Sequence, residues 1–263
     1  MGAGMFGATR SRSRRVRHGV TAVAAGLVLL SASACSGGDQ QGDGADGKNA
    51  GARNGGATGK PSAAGPAPLT KGQLTAASLT DGEKIGRYTV SDYALGAPLG
   101  EDYTAEPAVC QPLVSLAPGA TAFDPAAEVH RKADVPDEML GLTVSVQLRS
   151  YAAQGATGVL KALRTAGKEC AGGFTEDRAL ARAKYLKVEP AKAPALGDEA
   201  TAYRFTILDV KGTLKLYEYL TVVRSGSTTL SFRAEIPGTE DVGGVPDEIV
   251  QAQWQKFQAA AKA

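Results

Sequence analysis

The stretch "LGLTVSVQLRS", Leu140 to Ser150, alternates at every position. Leu140, Leu142, Val144, Val146 and Leu148 fall on one side of an extended chain, and Gly141, Thr143, Ser145, Gln147 and Arg149 on the other. A period of two over this length predicts a strand with one apolar face toward a core and one polar face outward. Thr228 to Ile236 repeats the pattern, with Leu230, Phe232, Ala234 and Ile236 inward and Ser231, Arg233 and Glu235 outward. Ala200–Asp209 and Leu214–Val223 also read as strands. Lys211-Gly212 separates that pair, and Ser225-Gly226-Ser227 precedes Thr228. Glycine accepts the positive φ of hairpin turns, so the strands from about 182 to 236 form an antiparallel meander.

Helical spacing flanks the strands. Thr157 to Cys170 sets Val159, Leu163, Ala166 and Cys170 on one stripe. Cys110-Gln111-Pro112-Leu113 signals a short helix, with proline tolerated in a first turn. A last helix runs from about Pro246 to Ala261. Asp247 and Glu248 suit the positive end of its dipole, and Val250, Trp254 and Phe257 make its buried stripe. Trp254, the single tryptophan, is expected to anchor the core. Strands joined by hairpins beside separate helices predict an α+β domain: an antiparallel β-sheet packed with helices, from about Leu69 to Ala263.

The N-terminal segment carries a different message. Arg10, Arg12, Arg14, Arg15 and Arg17 precede an uncharged run of 16 residues, Gly19–Ala34, with no acidic residue before Cys35. That run is shorter than the roughly 20 residues a membrane-spanning helix needs, so it reads as a secretory signal, residues 1–34. Ser31-Ala32-Ser33-Ala34 before Cys35 and Ser36-Gly37-Gly38 after it resemble a bacterial lipobox. That resemblance implies acylation of the Cys35 thiol and attachment to membrane lipid, with Cys35 as the first mature residue. An ordinary signal with a chance cysteine is the alternative, and Arg14-Arg15 also allows a twin-arginine signal. Ser36 to Pro68 holds ten glycines and no Val, Ile, Leu, Met or aromatic residue. It cannot bury enough surface to offset its ordering entropy, and 35–68 reads as a lipidated cysteine and a disordered linker. Asp39, Asp43 and Asp46 lack the closing Glu of a calcium loop.

The chain carries 29 basic and 27 acidic residues. Loss of the five signal arginines leaves the mature form near −3. The basic patch that nucleic-acid binding needs is missing, so nucleic acid is not expected as a partner. Three cysteines less the lipidated one leave Cys110 and Cys170, an even pair in an oxidising compartment, and a disulfide is expected.

Catalytic constellations are not visible. The mature chain has one histidine, His130, which alone makes no metal site. "RSGST" sits in a hairpin turn, not at a strand-turn-helix elbow. Asp134, Asp137 and Glu138, and Asp198 with Glu199, are carboxylate groups read as solvated surface. Neither catalysis nor a cofactor or metal is expected. On the Leu214–Val223 strand, Lys215, Tyr217, Tyr219 and Thr221 share one face and Leu214, Leu216, Leu220 and Val222 the other. Aromatic bodies with polar tips suit binding, and Glu218 among leucines marks either a pocket or a sheet end. Tyr217, Tyr219 and Glu218 are therefore the candidate ligand-binding residues.

The lipobox, "CQPLVSLAP" (110–118), "GLTVSVQLRSY" (141–151) with the helix to "GKECAGGF" (167–174), and "PALGDEATAYRF" (194–205) together resemble actinobacterial lipoproteins related to the extracellular sensor domain of PknH-type receptor kinases. The order of elements is also similar to envelope lipoproteins with PsbP-like sandwiches. The resemblance implies an extracytoplasmic domain with a groove for an unidentified envelope ligand, and Cys110–Cys170 matches one of the disulfides such sensors carry. A second cysteine pair, a kinase domain and a spanning helix are not found, so an inward signal needs contact with another membrane protein. Two functions follow as expectations: a non-catalytic ligand-binding sensor on the outer face of the membrane, or a module that binds an envelope protein during transport or cell-wall assembly.

Overall fold

The computed structural model describes residues 67–138, 141–178, 180–235 and 238–262. Cys35, the signal and most of the linker lie outside them, as do Leu140 and Ile236. The strands are β1 (Lys84–Ile85), β2 (Tyr88–Ser91), β3 (Thr104–Glu106), β4 (Pro125–Asp134), β5 (Thr143–Tyr151), β6 (Phe174–Arg178), β7 (Ala181–Pro190), β8 (Glu199–Leu208), β9 (Lys215–Ser225) and β10 (Thr228–Glu235). The helices are α1 (Lys71–Ala77), α2 (Gln111–Val114), α3 (Gly155–Glu169) and α4 (Asp247–Ala260). All ten strands form one antiparallel sheet in the order β1-β2-β4-β5-β10-β9-β8-β7-β6-β3. The fold is α+β, and the expected meander is the run β7-β8-β9-β10. Its turns fall where the glycines are, at Gly212 (φ 69°) and Gly226 (φ 57°).

One face of the sheet meets α1 and α4. Val144, Val146, Leu148, Leu230, Phe232 and Ala234 pack there with Leu74, Ile249 and Phe257. The stripe of α4 differs from the expected one. Gln253 is fully buried, donating Nε2 to the Ala77 carbonyl at 2.7 Å and accepting from the Leu79 amide at 3.0 Å. A buried amide is tolerated because both of its ends are satisfied. Trp254 is only half-buried, stacked on Phe257 with ring centroids 6.0 Å apart.

The opposite face meets α3 and α2. Val159, Leu160, Leu163 and Ala166 pack on Tyr185, Tyr203, Phe205 and Val222. Gly167 lets α3 come this close, since a Cβ there would sit 2.3 Å from the Tyr203 ring. That closeness explains a residue that costs a helix interior about 1 kcal/mol. The Cys110–Cys170 disulfide is formed, with Cα atoms 6.0 Å apart, and ties the start of α2 to the end of α3. Because this second face is covered, three of the residues expected to point outward are buried. Arg149 is fully buried, and Gln147 and Ser231 are nearly so. Leu214, expected in the core, is exposed beside the β8–β9 turn.

Candidate functional site

The second face is apolar under α3 and polar beyond it. There β5 contributes Thr143, Ser145 and Gln147, and β10 contributes Ser231, Arg233 and Glu235. Register sets Ser145 opposite Arg233, Gln147 opposite Ser231 and Thr143 opposite Glu235. Short hydroxyl side chains cannot fill the space that leucines would, and they hold no apolar cover. A cleft of about 730 Å³ remains, floored by these strands and by Lys132, Glu176, Arg178 and Leu220. Its cover is the segment 91–103 together with Pro112, Val114, Ser115 and Leu116.

The cover is fastened by charge. Glu101 accepts from Arg149 Nη2 and, at 2.7 Å, from Gln147 Nε2. Arg149 also donates to Gln147 Oε1 and to Glu128 Oε2, each at 3.0 Å. Glu128 lies beside His130, with 3.6 Å between Oε1 and Nε2. The His130 ring, with Arg149 beside it, holds the Glu128 carboxyl down to about 2 against the effect of its burial. Tyr93 and Ser145 share a hydrogen bond of 2.6 Å, and Asp92 pairs with Arg131 at 3.0 Å.

A second network runs under the other end. Arg233 donates Nη2 to the carbonyls of Leu113 and Val114, the latter at 3.0 Å, and Nη1 to Glu218 Oε2 at 3.2 Å. Arg178 donates to Glu176 Oε1 at 2.5 Å and approaches Glu218 at 3.9 Å. Tyr185 donates to Glu176 Oε2 at 2.7 Å, and its Oη also lies 3.2 Å from Glu218 Oε2. A phenol has one proton to give. With that proton on Glu176, the second contact is favourable when Glu218 carries a proton of its own. The surroundings agree: burial first, then the charge of Glu235, pushes the Glu218 carboxyl up to about 8.

This has a consequence for stability against pH. A carboxyl titrating near 4.5 when unfolded and about 8 when folded binds more protons in the native state between those values. Stability therefore falls as pH rises through that window, and the full penalty is present above it. Between about pH 6 and pH 9 the loss is roughly 2–3 kcal/mol. Glu218→Gln, which keeps a neutral side chain of the same shape, should flatten that slope in urea titrations. An unchanged slope in the variant would show that Glu218 is not the group responsible.

The residues singled out in the sequence fall in three places. Glu218 lies on the cleft side of β9, in contact with the cleft-lining Arg233. Tyr217 and Tyr219 are on the other face, as alternation requires, so the structure does not bring the three together. Tyr217 lies under Arg204, whose guanidinium carbon is 4.4 Å from the ring centre. Tyr219 is buried, donates to Asp241 Oδ1, accepts from the Gly243 amide at 3.1 Å, and borders a second cleft of about 1120 Å³. Cleft residues that sequence reasoning set outward as surface were Thr143, Ser145, Gln147, Ser231, Arg233 and Glu235. The available signal was two hydroxyl-and-charge faces on strands that register side by side.

The carboxylate groups are structural. Asp198 and Glu199 pair with Arg224 at 2.8 and 2.6 Å, and Asp134 with Lys132 at 2.6 Å. Among the described residues, no group of three or more His, Cys, Asp or Glu side chains could hold a metal ion. Among them also, no helix is long and apolar enough to cross a membrane.

No family model matches the chain, and no curated protein matches it. Among solved structures, it is similar to the extracellular domain of PknH from Mycobacterium tuberculosis, at 13% identity over 74% of this chain and 98% of that one, with a TM-score of 0.48. It is also similar to an uncharacterized protein, the Rv0999 ortholog of Mycobacterium smegmatis, at 15% identity over 67% of this chain and 88% of that one, with a TM-score of 0.34.

Proposed function

We propose that this chain is a lipid-anchored, extracytoplasmic, sensor-like domain that binds a small envelope molecule without transforming it. The signal pattern of residues 1–34, the lipobox cysteine Cys35 and the spacer to Pro68 support export and tethering. The cysteine bond supports an oxidising compartment, where such bonds persist. The observation that carries the binding reading is the 730 Å³ cleft, whose size is that of a small-molecule site. Its floor is polar and its rim holds the exposed Leu95 and Leu99, so an occupant with both polar and apolar parts suits it. The polar groups of the floor are tied into ion pairs and hydrogen bonds that hold its shape.

Native mass spectrometry of the exported chain after exposure to an envelope extract tests this. A discrete small-molecule adduct, lost on denaturation and lost in a variant that fills the floor (Ser231→Leu), is the expected result. A bare mass from the wild type, with an envelope protein recovered on Leu95 and Leu99 by cross-linking, would replace the reading with that of a protein-interaction module.

A further inference from the structure

Two hairpins, β6–β7 and β8–β9, turn at the same end of the sheet on neighbouring strands, since Lys184, Leu208 and Lys215 align in one row across β7, β8 and β9. Leu180 in the first turn is 100% exposed, and Val210 and Leu214 at the second are 85% and 53% exposed. A single exposed leucine is ordinary, but three apolar side chains on adjacent turns make a group. The second turn is held in shape from within. The Asp209 carbonyl accepts from the Gly212 amide at 2.9 Å, and the Asp209 carboxylate accepts from the amides of Thr213 at 2.7 Å and Leu214 at 2.9 Å. A turn whose amides are already matched can leave water at small cost.

Charge around the turns is a second, independent observation. The mature chain is near −3 overall, so attraction to an acidic surface has to be local. Lys211 sits in the second turn, Lys215 directly follows Leu214, and Lys184 shares the face of Lys215 two strands away. All three are exposed and make no ion pair among the described residues. Acids close by are already taken: Asp177 and Glu106 by Arg182, and Glu189 by Lys187 and Arg204. Apolar tips ringed by unpaired lysines are complementary to a lipid surface with anionic headgroups. Three side chains supply far less area than the roughly 800 Å² per partner of a stable protein interface, whereas a bilayer asks only for shallow entry.

We propose that this end of the sheet is a membrane-binding surface, in which Leu180, Val210 and Leu214 enter the headgroup layer of a bilayer and Lys184, Lys211 and Lys215 meet its anionic phosphates. None of the six lines the 730 Å³ cleft, so the surface acts independently of the ligand-binding reading.

The test sediments the mature chain from residue 35, carrying Cys35→Ser and therefore no acyl chain, with vesicles of phosphatidylglycerol or of phosphatidylcholine. Partition onto phosphatidylglycerol should be about tenfold or more the stronger, and high salt should weaken it. Leu180→Ser, Val210→Ser and Leu214→Ser together should lower partition about tenfold or more without moving the melting temperature. Lys184→Gln, Lys211→Gln and Lys215→Gln together should erase the preference for phosphatidylglycerol. Ser231→Leu, which fills the cleft, should bind vesicles as the wild type does, so the two readings fail separately. Equal partition onto both lipids, or a serine variant that binds like the wild type, would overturn the proposal. So would a lack of vesicle binding together with an acidic envelope protein cross-linked at Lys211.

Discussion

Replacing Arg149 by methionine is expected to destabilise the domain by about 3–5 kcal/mol, the cost of stranding buried charges whose partner is removed. The side chain is fully buried and meets Glu101, Glu128 and Gln147 at once. Methionine keeps most of the aliphatic volume, so the loss is electrostatic rather than a cavity. Glu101 is the fastening of the cover, so the same change should release residues 91–103 and raise hydrogen exchange there. The measurement is urea unfolding of the single variant and of a triple variant that adds Glu101→Gln and Glu128→Gln. Neutralising the two acids removes what the single variant leaves unpaired, and the triple variant should recover most of the lost stability. A single variant within about 1 kcal/mol of wild type, or a triple variant no better than the single, would contradict this account.

Removing the disulfide has an effect of similar size. Cys110 and Cys170 are 60 positions apart, and closing such a loop contributes about 4 kcal/mol in the chain-entropy description, within the 2–5 kcal/mol commonly lost with a native bridge. The double variant Cys110→Ala, Cys170→Ala should lower the melting temperature correspondingly. It should also weaken ligand binding, because α2 is the segment whose Leu113 and Val114 carbonyls hold Arg233. A variant that melts with the oxidised protein would show that the link contributes nothing. One that melts lower yet binds equally well would show that α2 is held by packing alone.

The sequence was legible where a strand had one apolar face. Val144, Val146 and Leu148 gave β5 by alternation, and Gly212 and Gly226 gave the turns of the meander. It was not legible where burial is polar. The strand β4, "PAAEVHRKAD", alternates Val129 and Ala133 with Glu128, His130 and Lys132, and this weak apolar signal concealed a central neighbour of β5. Arg149 and Arg233 looked like solvent-facing residues because alternation reports which side a residue is on, not whether that side is covered. What covers it here is the chain from 91 to 116, which holds little regular structure and so has no period to read. Glu218 was the one anomaly visible beforehand. A carboxyl among leucines signals an unusual environment, but the arginines, the phenol and the opposing Glu235 that define it come from three other strands.

The N-terminal edge of the described chain is tied down at one end of the sheet. The Leu69 amide donates to Ser150 Oγ at 2.7 Å, and the Ala67 carbonyl accepts from Ser227 Oγ at 3.2 Å. Ser150 and Ser227 sit where β5 and β10 meet at their closed end, while Thr143 and Glu235 sit at the other, about 25 Å along the strands. Residue 67 therefore meets the sheet at the end opposite Thr143 and Glu235. Tension applied to the chain at that point loads the hydrogen bonds of Ser150 and Ser227 first and leaves the cleft end of the sheet unloaded.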